Sequence, residues 1–401
     1  MIITKSKDTK HNGKKSSVPN LNFHLVSLKL KKTQYFSMQI SSVITVLEEL
    51  APLAYAEDFD NVGLLVGDKN TICTGILVCH DALEQVIDEA IAKNCNLVVC
   101  FHPILFSGIK KITGQDYVQK SVIKAIKNDI AIYAIHTALD NHRNGVNKIF
   151  CNALGLINTK ILVPKQNFIQ KLVTYAPIDC ANAVKQALFN AGAGNIANYD
   201  NCSFTSEGIG SYRGNELSNP TIGTKGVLTH TLEQKIEVIF EKHLQKQIIN
   251  ALFSSHIYEE IAYEIYNLEN KHQQVGLGMI GELEHEINEI DFLHFVKKTM
   301  QCGGIRHSKL LGKNIKKVAV LGGSGSFAIP NAITAQADIY VTADLKYHDF
   351  YKAENKLVVA DIGHFESERF TKNYIVDFLK EKITNFAIVL SEINTNPVKY
   401  L

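Results

Sequence analysis

Several features that mark special classes of protein are missing from this 401-residue sequence. Apolar runs such as 97–100 and 318–321 are far shorter than the ~20 residues needed to cross a bilayer, so no membrane span is predicted. Lys plus Arg number 42 against 40 for Asp plus Glu, and a net charge of +2 provides no general attraction to nucleic acid. We therefore expect no membrane insertion and no binding to nucleic acid through overall charge, while a local basic patch stays open.

The cysteines also lack a recognisable arrangement. The eight cysteines contain no CxxC pair and no framework spacing, which argues against a zinc ribbon or a disulfide scaffold and favours reduced thiols in a cytoplasmic protein. Residues 1–37 hold eight lysines and one acidic residue, without the apolar core and cleavage site of a secretory signal. Two interpretations of this segment remain open: a disordered basic tail, or a start codon upstream of a true start at Met38.

The rest of the composition is that of a folded protein. Hydrophobic residues make up 46% of the chain and charged residues 20%, and the length predicts two or three cores. Helical and strand patterns alternate after Met38, which predicts an α/β fold with a largely parallel sheet layered with helices. The predicted elements are a helix at 40–50, a strand at 75–79, a helix at 82–93, a strand at 97–100, a helix at 116–128, a strand at 130–135 and a helix at 145–154.

The pattern changes in the middle of the chain. Strand-like segments at 170–175, 203–208 and 257–266 lie among helical segments at 181–190 and 232–249, which predicts an inserted α+β domain over residues 165–297. Alternation resumes in 298–401, with strands at 318–321, 339–342, 357–360 and 387–390. We therefore predict that 38–164 and 298–401 are the two parts of one α/β domain and complete one sheet.

Candidate chemical groups follow the strands of this sheet. In open parallel sheets, reactive side chains lie just past the carboxyl ends of strands. His102 follows strand 97–100, Asp140 follows strand 130–135, and His364 and Glu368 follow strand 357–360. The last two are four residues apart, so a helix would place them on one face, where they could converge on one ion.

Each of these residues also has an ordinary structural explanation. His364 and Glu368 could be a solvated pair, His102 a hydrogen-bonded core histidine, and Asp140 the cap of the next helix. Their occurrence together at strand ends favours a metal site, and imidazole with carboxylate suits zinc, iron, manganese or cobalt. No signature of a nucleophilic serine or cysteine is present.

Two weaker features remain open. The glycine-rich run 322–326 follows a strand and is either a tight turn or a phosphate-binding turn, although neither a Walker lysine nor a GxGxxG pattern accompanies it. Asp344 and His348 are either a surface pair or part of a second shell or proton relay at the site, and the surface pair is favoured.

The motifs together resemble a known family. The resemblance spans about residues 38–401. Each motif is short, but the set of motifs in this order is specific. The motifs are DNVGL at 60–64, FHPILF at 101–106, HTALD at 136–140, GGSG at 322–325, TADLKYH at 342–348 and GHFESE at 363–368. This set is similar to that of the Nif-three-like family, whose bacterial members are called GTP cyclohydrolase 1 type 2 homologs.

The resemblance implies a dinuclear centre of divalent metal ions in an α/β fold, assembled as a homohexamer. His102 and Asp140 would hold one ion, His364 the other, and Glu368 would bridge them. Segments 256–260 and 276–281 are similar to the inserted domain of the longer members, which implies a small ferredoxin-like trimerising domain.

One position departs from the family pattern. Two consecutive histidines usually precede the proline, and Phe101 stands in place of the first. The ion held by His364 would then lose a ligand and bind less tightly. The number of ions bound per chain is therefore expected to be one or two. Cys100 is a poor substitute, because successive residues of a strand point to opposite faces.

These observations predict a metal-dependent hydrolase that acts on a nucleotide-like molecule through metal-bound water. GTP ring opening is the activity that the resemblance implies. The alternative is a non-catalytic metal-binding oligomer or regulatory scaffold. Nucleic acid is a third and weaker candidate as partner, because no recognition motif is present.

Overall fold

The computed structural model describes residues 38–401, and its first helix is α1 (Ile40–Leu50). Ile40, Val43 and Leu47 recur at three- and four-residue spacing, and all three side chains are buried. The helix ends at Leu50, shortly before Pro52, as its pattern predicts. Residues 1–37, with the two interpretations proposed for them, lie outside the described residues.

The alternating strands and helices that follow form a five-stranded sheet. Its spatial order is β1 (Gly63–Val66), β4 (Ala131–Ala134), β3 (Leu97–His102), β2 (Ile76–Asp81) and β15 (Ile388–Leu390). All neighbouring strands are parallel except β1 and β4. Helices α2 (Glu84–Ala92) and α3 (Tyr117–Lys127) cover one face, and α1 and α11 (Thr371–Lys382) cover the other.

A second sheet of six strands lies in the same unit. Its spatial order is β11 (Arg306–His307), β14 (Val358–Asp361), β13 (Ile339–Ala343), β12 (Asn314–Ser324), β10 (Gly276–Asn288) and β5 (Ile157–Pro164). The three strands β12, β13 and β14 are parallel, and the other pairs are antiparallel. Helices α5 (Val146–Ala153) and α8 (Glu289–Thr299) pack on one face, and α9 (Ile329–Thr334) packs on the other.

The α/β class is confirmed, but the prediction of a single sheet is wrong. Strand β12 pairs with β10 and not with a strand of the first sheet, while β15 alone crosses from the C-terminal part into the five-stranded sheet. Strand patterns identify which segments are extended, but the partner of each strand depends on contacts between distant parts of the chain.

Helix α5 packs against both sheets. The strand ends that precede the candidate site residues lie near one another in this arrangement. Val146 of this helix packs into the core of the five-stranded sheet, while Phe150 and Cys151 pack into the core of the six-stranded sheet. Two short helices, α4 (His136–Asp140) after β4 and α10 (His364–Glu368) after β14, line one cavity with the end of β3.

A third sheet is antiparallel. Its order is β7 (Ser203–Tyr212), β8 (Thr229–Glu241), β6 (Ile169–Pro177) and β9 (Tyr263–Leu268). Helices α6 (Ile178–Asn190) and α7 (Gln245–Ser255) share its core, and the chain order βαββαβ gives the ferredoxin-like topology. Strand β10 falls within 165–297 but belongs to the six-stranded sheet, and helix α8, most of which also falls within this range, packs on that sheet. The division into domains stays a prediction.

The helix predicted over 232–249 is wrong for its first half, which is strand β8. Ile236, Val238 and Phe240 are buried at every second position, which is the spacing of a strand with one covered face. Helix α7 begins only at Gln245. Within residues 38–401, none of the helices combines the length and the apolar character needed to cross a membrane.

Candidate metal centre

Three histidines around the cavity are each held by an aspartate. The Nδ1 atoms of His102 and His364 lie 2.8 Å from Asp81 Oδ1 and 2.7 Å from Asp344 Oδ2. His136 Nδ1 lies 2.8 Å from Asp60 Oδ1 in the same manner. A carboxylate on one ring nitrogen orients the imidazole and leaves the other nitrogen available, as in many histidine–metal sites.

The carboxylate of Glu368 lies at the centre of this arrangement. Its Oε2 atom is 3.2 Å from His102 Nε2, 3.3 Å from His364 Nε2 and 3.4 Å from His80 Nε2. Glu368 is 3% exposed, and Oε2 makes no hydrogen bond. A buried anionic oxygen without a hydrogen-bond donor is costly, and a cation shared with the surrounding nitrogens would satisfy it.

His80 completes this group. It is 3% exposed, and neither of its ring nitrogens has a hydrogen-bond partner. One ligand atom each from His80, His102 and Glu368 lie within 4.8 Å of one another. The structure thus contains a buried group of two imidazoles and one carboxylate that could bind a metal ion.

Asp140 lies in the wall of the same cavity. It is the last residue of α4, and its Oδ1 atom is buried without a hydrogen-bond partner. Helix α5 is capped by Gly145, so Asp140 is not the cap of the next helix. Burial, followed by repulsion from Glu368, raises the pKa of Asp140 well above its ordinary value.

The electrostatics of the group fit a cation. Burial lowers the pKa of His102, but the hydrogen bond to Asp81 and the negative charge of Glu368 outweigh it and raise that pKa to about 9. For His364, burial is again outweighed, mainly by the charge of Glu368, and the pKa rises to about 11. Burial opposes ionisation of Glu368, but the positive rings hold its pKa well below the ordinary value. The surroundings therefore favour positive charge beside this carboxylate, which a divalent ion could supply in place of protons.

The structure thus brings His102, His364 and Glu368 into contact and places Asp140 in the same cavity wall. Their roles as metal ligands stay a prediction. Asp344 contacts His364, as expected of a second shell, whereas His348 is exposed on the surface.

The glycine-rich run has a packing role. The backbone N–H groups of Gly322 and Gly323 donate to Asn147 Oδ1 and Ser367 Oγ, so they are already used and do not face an anion. Gly323 has a φ of +71°, and a Cβ atom there would lie 2.6 Å from Glu368 Oε1. These contacts favour the tight turn over a phosphate-binding turn.

Phe101 lies next to the site but within the core. Its ring is fully buried, and its centroid is 5.4 Å from that of His80. Cys100 packs on the opposite face of the sheet with Cys79, and burial raises the pKa of its thiol. The expectation that Cys100 points away from the site is confirmed.

His80 and Asp81 lie at the site but are not among the residues predicted from the sequence. Both directly follow the predicted strand at 75–79, at the carboxyl end of β2, so the strand-end rule that identified His102 applies to them as well. Asp60 and His136 were noted only as parts of motifs.

Comparison with known proteins agrees with this fold. A family model described as Duf34/NIF3 (NGG1p interacting factor 3) matches residues 38–397. The GTP cyclohydrolase 1 type 2 homolog of Bacillus subtilis strain 168 is 38% identical over 371 residues, covering 91% of this chain and 99% of the relative. That of Halalkalibacterium halodurans is 36% identical over 366 residues, covering 90% and 98%.

Solved structures give the same result. The crystal structure of a Bacillus cereus protein related to NIF3 has a TM-score of 0.78 at 35% identity and covers 91% of this chain and 100% of its own. A Staphylococcus aureus protein has a TM-score of 0.73 at 28% identity, with 91% and 99% covered. Because the family model and these relatives each match about nine-tenths of the sequence, the chain belongs to the Duf34/NIF3 family.

Proposed function

We propose that this protein is a metal-dependent hydrolase that acts on a nucleotide-like small molecule. The observation that carries the proposal is the buried Glu368 Oε2 atom, which has three imidazole nitrogens within 3.4 Å and no hydrogen bond. His102 and Asp140 would hold one divalent ion, His364 the other, and Glu368 would be shared between them. Zinc, iron and manganese suit this donor set.

A bound divalent ion would lower the pKa of a coordinated water to about 7 and so make hydroxide available at neutral pH. The chain itself offers a group for proton transfer. His136 lines the cavity, and Asp60 holds its Nδ1 atom while the Thr137 N–H and hydroxyl groups hold Asp60. Burial raises the pKa of Asp60, but these hydrogen bonds outweigh it and lower that pKa, so Asp60 stays ionised and orients the ring.

The cavity suits a planar heterocycle. Its volume is about 450 Å³, and three phenylalanines with exposed rings line it: Phe59, Phe106 and Phe327. The rings of Phe59 and Phe106 have centroids 6.4 Å apart, and such rings can stack against a flat base. The names of the relatives support a purine nucleotide, and GTP ring opening is the specific reaction proposed.

The test is turnover of GTP by purified protein reconstituted with zinc, iron or manganese. Wild-type protein should release product at a rate that depends on added metal. Glu368→Gln keeps the size of the side chain but removes the charge, and it should abolish both metal binding and turnover. Glu381→Gln, on an exposed glutamate of α11, controls for contaminating enzyme and should behave as wild type.

A non-catalytic metal-binding oligomer is the second candidate. Phe101 favours it, because a fully buried phenyl ring at this strand end offers no ligand. Tight metal binding without turnover of GTP or other purine nucleotides would favour this candidate over the hydrolase.

We further propose a homohexamer, as the family resemblance implies. Ile209 and Leu232 are paired across β7 and β8 and are 74% and 52% exposed, which is unfavourable for an isolated chain. Light scattering should give the mass of six chains, and Ile209→Asp with Leu232→Asp should reduce it. A monomeric wild type would contradict the proposal.

A further inference from the structure

We infer that His80 is a metal ligand of this chain and that it supplies, from β2, the imidazole that position 101 on β3 lacks. This inference rests on the proposed metal-dependent function. It concerns a residue outside the family motifs described above.

The register of the two strands places His80 beside Phe101. Strands β2 and β3 are parallel neighbours, with Cys79 opposite Cys100 and Asp81 opposite His102. Position 80 is therefore opposite position 101. Because side chains alternate along a strand, both belong to the face that carries the buried Val78 and Val99. A side chain on one strand can thus occupy the space next to the end of the other.

The environment of His80 is wrong for an ordinary core histidine. Its ring packs against the rings of Phe101 and Phe365, with centroids 5.4 and 5.1 Å away. Both ring nitrogens are buried without a hydrogen-bond partner, and a buried imidazole in a core normally bonds at least one of them. A leucine or phenylalanine would fill the same space without burying a polar atom.

The geometry directs this ring toward the carboxylate of the site. His80 Nε2 lies 3.4 Å from Glu368 Oε2, and one ligand atom of each lies within 4.8 Å of a nitrogen of His102. The neighbouring position on β3 is occupied by Phe101, whose ring offers no ligand atom. An ion at Glu368 would therefore gain from β2 the nitrogen that β3 does not provide.

The experiment compares zinc and cobalt binding by full-length variants in which a buried histidine is replaced by an apolar residue. Loss of an outer-shell partner costs about 10- to 100-fold in metal affinity, and loss of a direct ligand should cost at least as much. His80→Leu should therefore weaken zinc binding by this factor in competition with a chelator. It should also change the visible absorption of the cobalt-loaded protein, which reports on the ligands.

The decisive variant moves the imidazole from position 80 on β2 to position 101 on β3. His80→Leu combined with Phe101→His keeps one histidine and one apolar residue at the two neighbouring positions, and it should recover most of the affinity. His142→Leu is the matched control, because its Nδ1 atom is also buried without a partner while the residue does not line the cavity. That variant should bind zinc as wild type does.

The outcomes separate this inference from the proposed function. If folded His80→Leu binds zinc as tightly as wild type while Glu368→Gln does not, His80 is not a ligand and the inference is overturned, although the metal site stands. If wild-type protein binds neither zinc nor cobalt, both proposals fall. If His80→Leu does not fold, ring-nitrogen NMR of wild-type protein decides: the His80 signal shifts on zinc addition if it is a ligand and stays in place if it is not.

Discussion

Gly323 lies directly against Glu368, so that a Cβ atom at position 323 would be 2.6 Å from the Oε1 atom of the carboxylate. The φ of +71° at Gly323 is one that other residues rarely adopt. The glycine thus serves two purposes: it allows the turn at the end of β12, and it leaves room for the Glu368 carboxylate, which His80, His102 and His364 surround.

Gly323→Ala should therefore displace Glu368. We expect lower thermal stability and loss of bound zinc, measured by thermal melts and by metal analysis after dialysis. Gly312→Ala is the matched control, because Gly312 has the same φ of +71° and no atom within 4 Å of its added Cβ. Both variants should lose about 1–2 kcal/mol from backbone strain, but only Gly323→Ala should lose metal. Equal metal content in the two variants would contradict the role assigned to this contact.

The aspartates behind the histidines should control metal affinity. Asp81→Asn and Asp344→Asn each remove the charge that orients one imidazole, and each should weaken zinc binding about 10- to 100-fold. Competition with a chromogenic chelator measures the effect. Asp88→Asn, which breaks an exposed ion pair with Lys124, should leave the affinity unchanged. Unaltered binding in both site variants would show that the aspartates do not orient ligands.

The exposed phenylalanines that line the cavity should affect substrate binding and not metal binding. Phe59→Leu and Phe106→Leu remove stacking surface from the cavity wall, and each should raise KM for a purine nucleotide about 5- to 20-fold, equivalent to about 1–2 kcal/mol. Metal content should not change. Phe253→Leu, an exposed phenylalanine of α7, should have no effect on KM. If neither Phe59→Leu nor Phe106→Leu alters KM, the base does not bind against these rings.

A second cluster joins the α/β part of the chain to the ferredoxin-like sheet. Glu241, at the end of β8, accepts a hydrogen bond from the Tyr55 hydroxyl at 3.2 Å and lies 3.3 Å from His272 Nε2. His142 stacks on Tyr55 with centroids 6.2 Å apart. Burial lowers the pKa of His142 despite the opposing charge of Glu241, and Arg143 lowers it further.

This cluster should make the protein acid-sensitive. A histidine whose pKa is lower in the folded state than its unfolded value of about 6.5 is protonated more readily when unfolded, so the free energy of unfolding falls as pH drops below about 6.5. Burial raises the pKa of Glu241, but His272 and its other neighbours outweigh this and lower it, so its stabilising effect is also lost in acid. His142→Phe should therefore reduce the drop in melting temperature between pH 7 and pH 5, while His348→Phe, at an exposed position, should not. Parallel pH profiles for all three proteins would refute the prediction.

Local sequence was sufficient to predict many elements and part of the site. Helix α1, the strand that ends at His102 and the helical pairing of His364 with Glu368 follow from side-chain spacing over a few residues, because the 3.6- and two-residue periods are properties of the backbone. The ferredoxin-like topology was expected from the family resemblance, not from spacing, and the helical interpretation of 232–249 failed where the alternating pattern of β8 was overlooked.

Only the tertiary structure decided which strands pair and which side chains meet. The division into two outer sheets depends on β12 pairing with β10, and no local pattern encodes that choice. The position of His80 beside Phe101 depends on the register of β2 against β3, and its approach to Glu368 depends on the two sheets packing around α5. Contacts of this kind join residues that are far apart in the sequence, 288 positions for His80 and Glu368, and they exist only once the whole chain has folded.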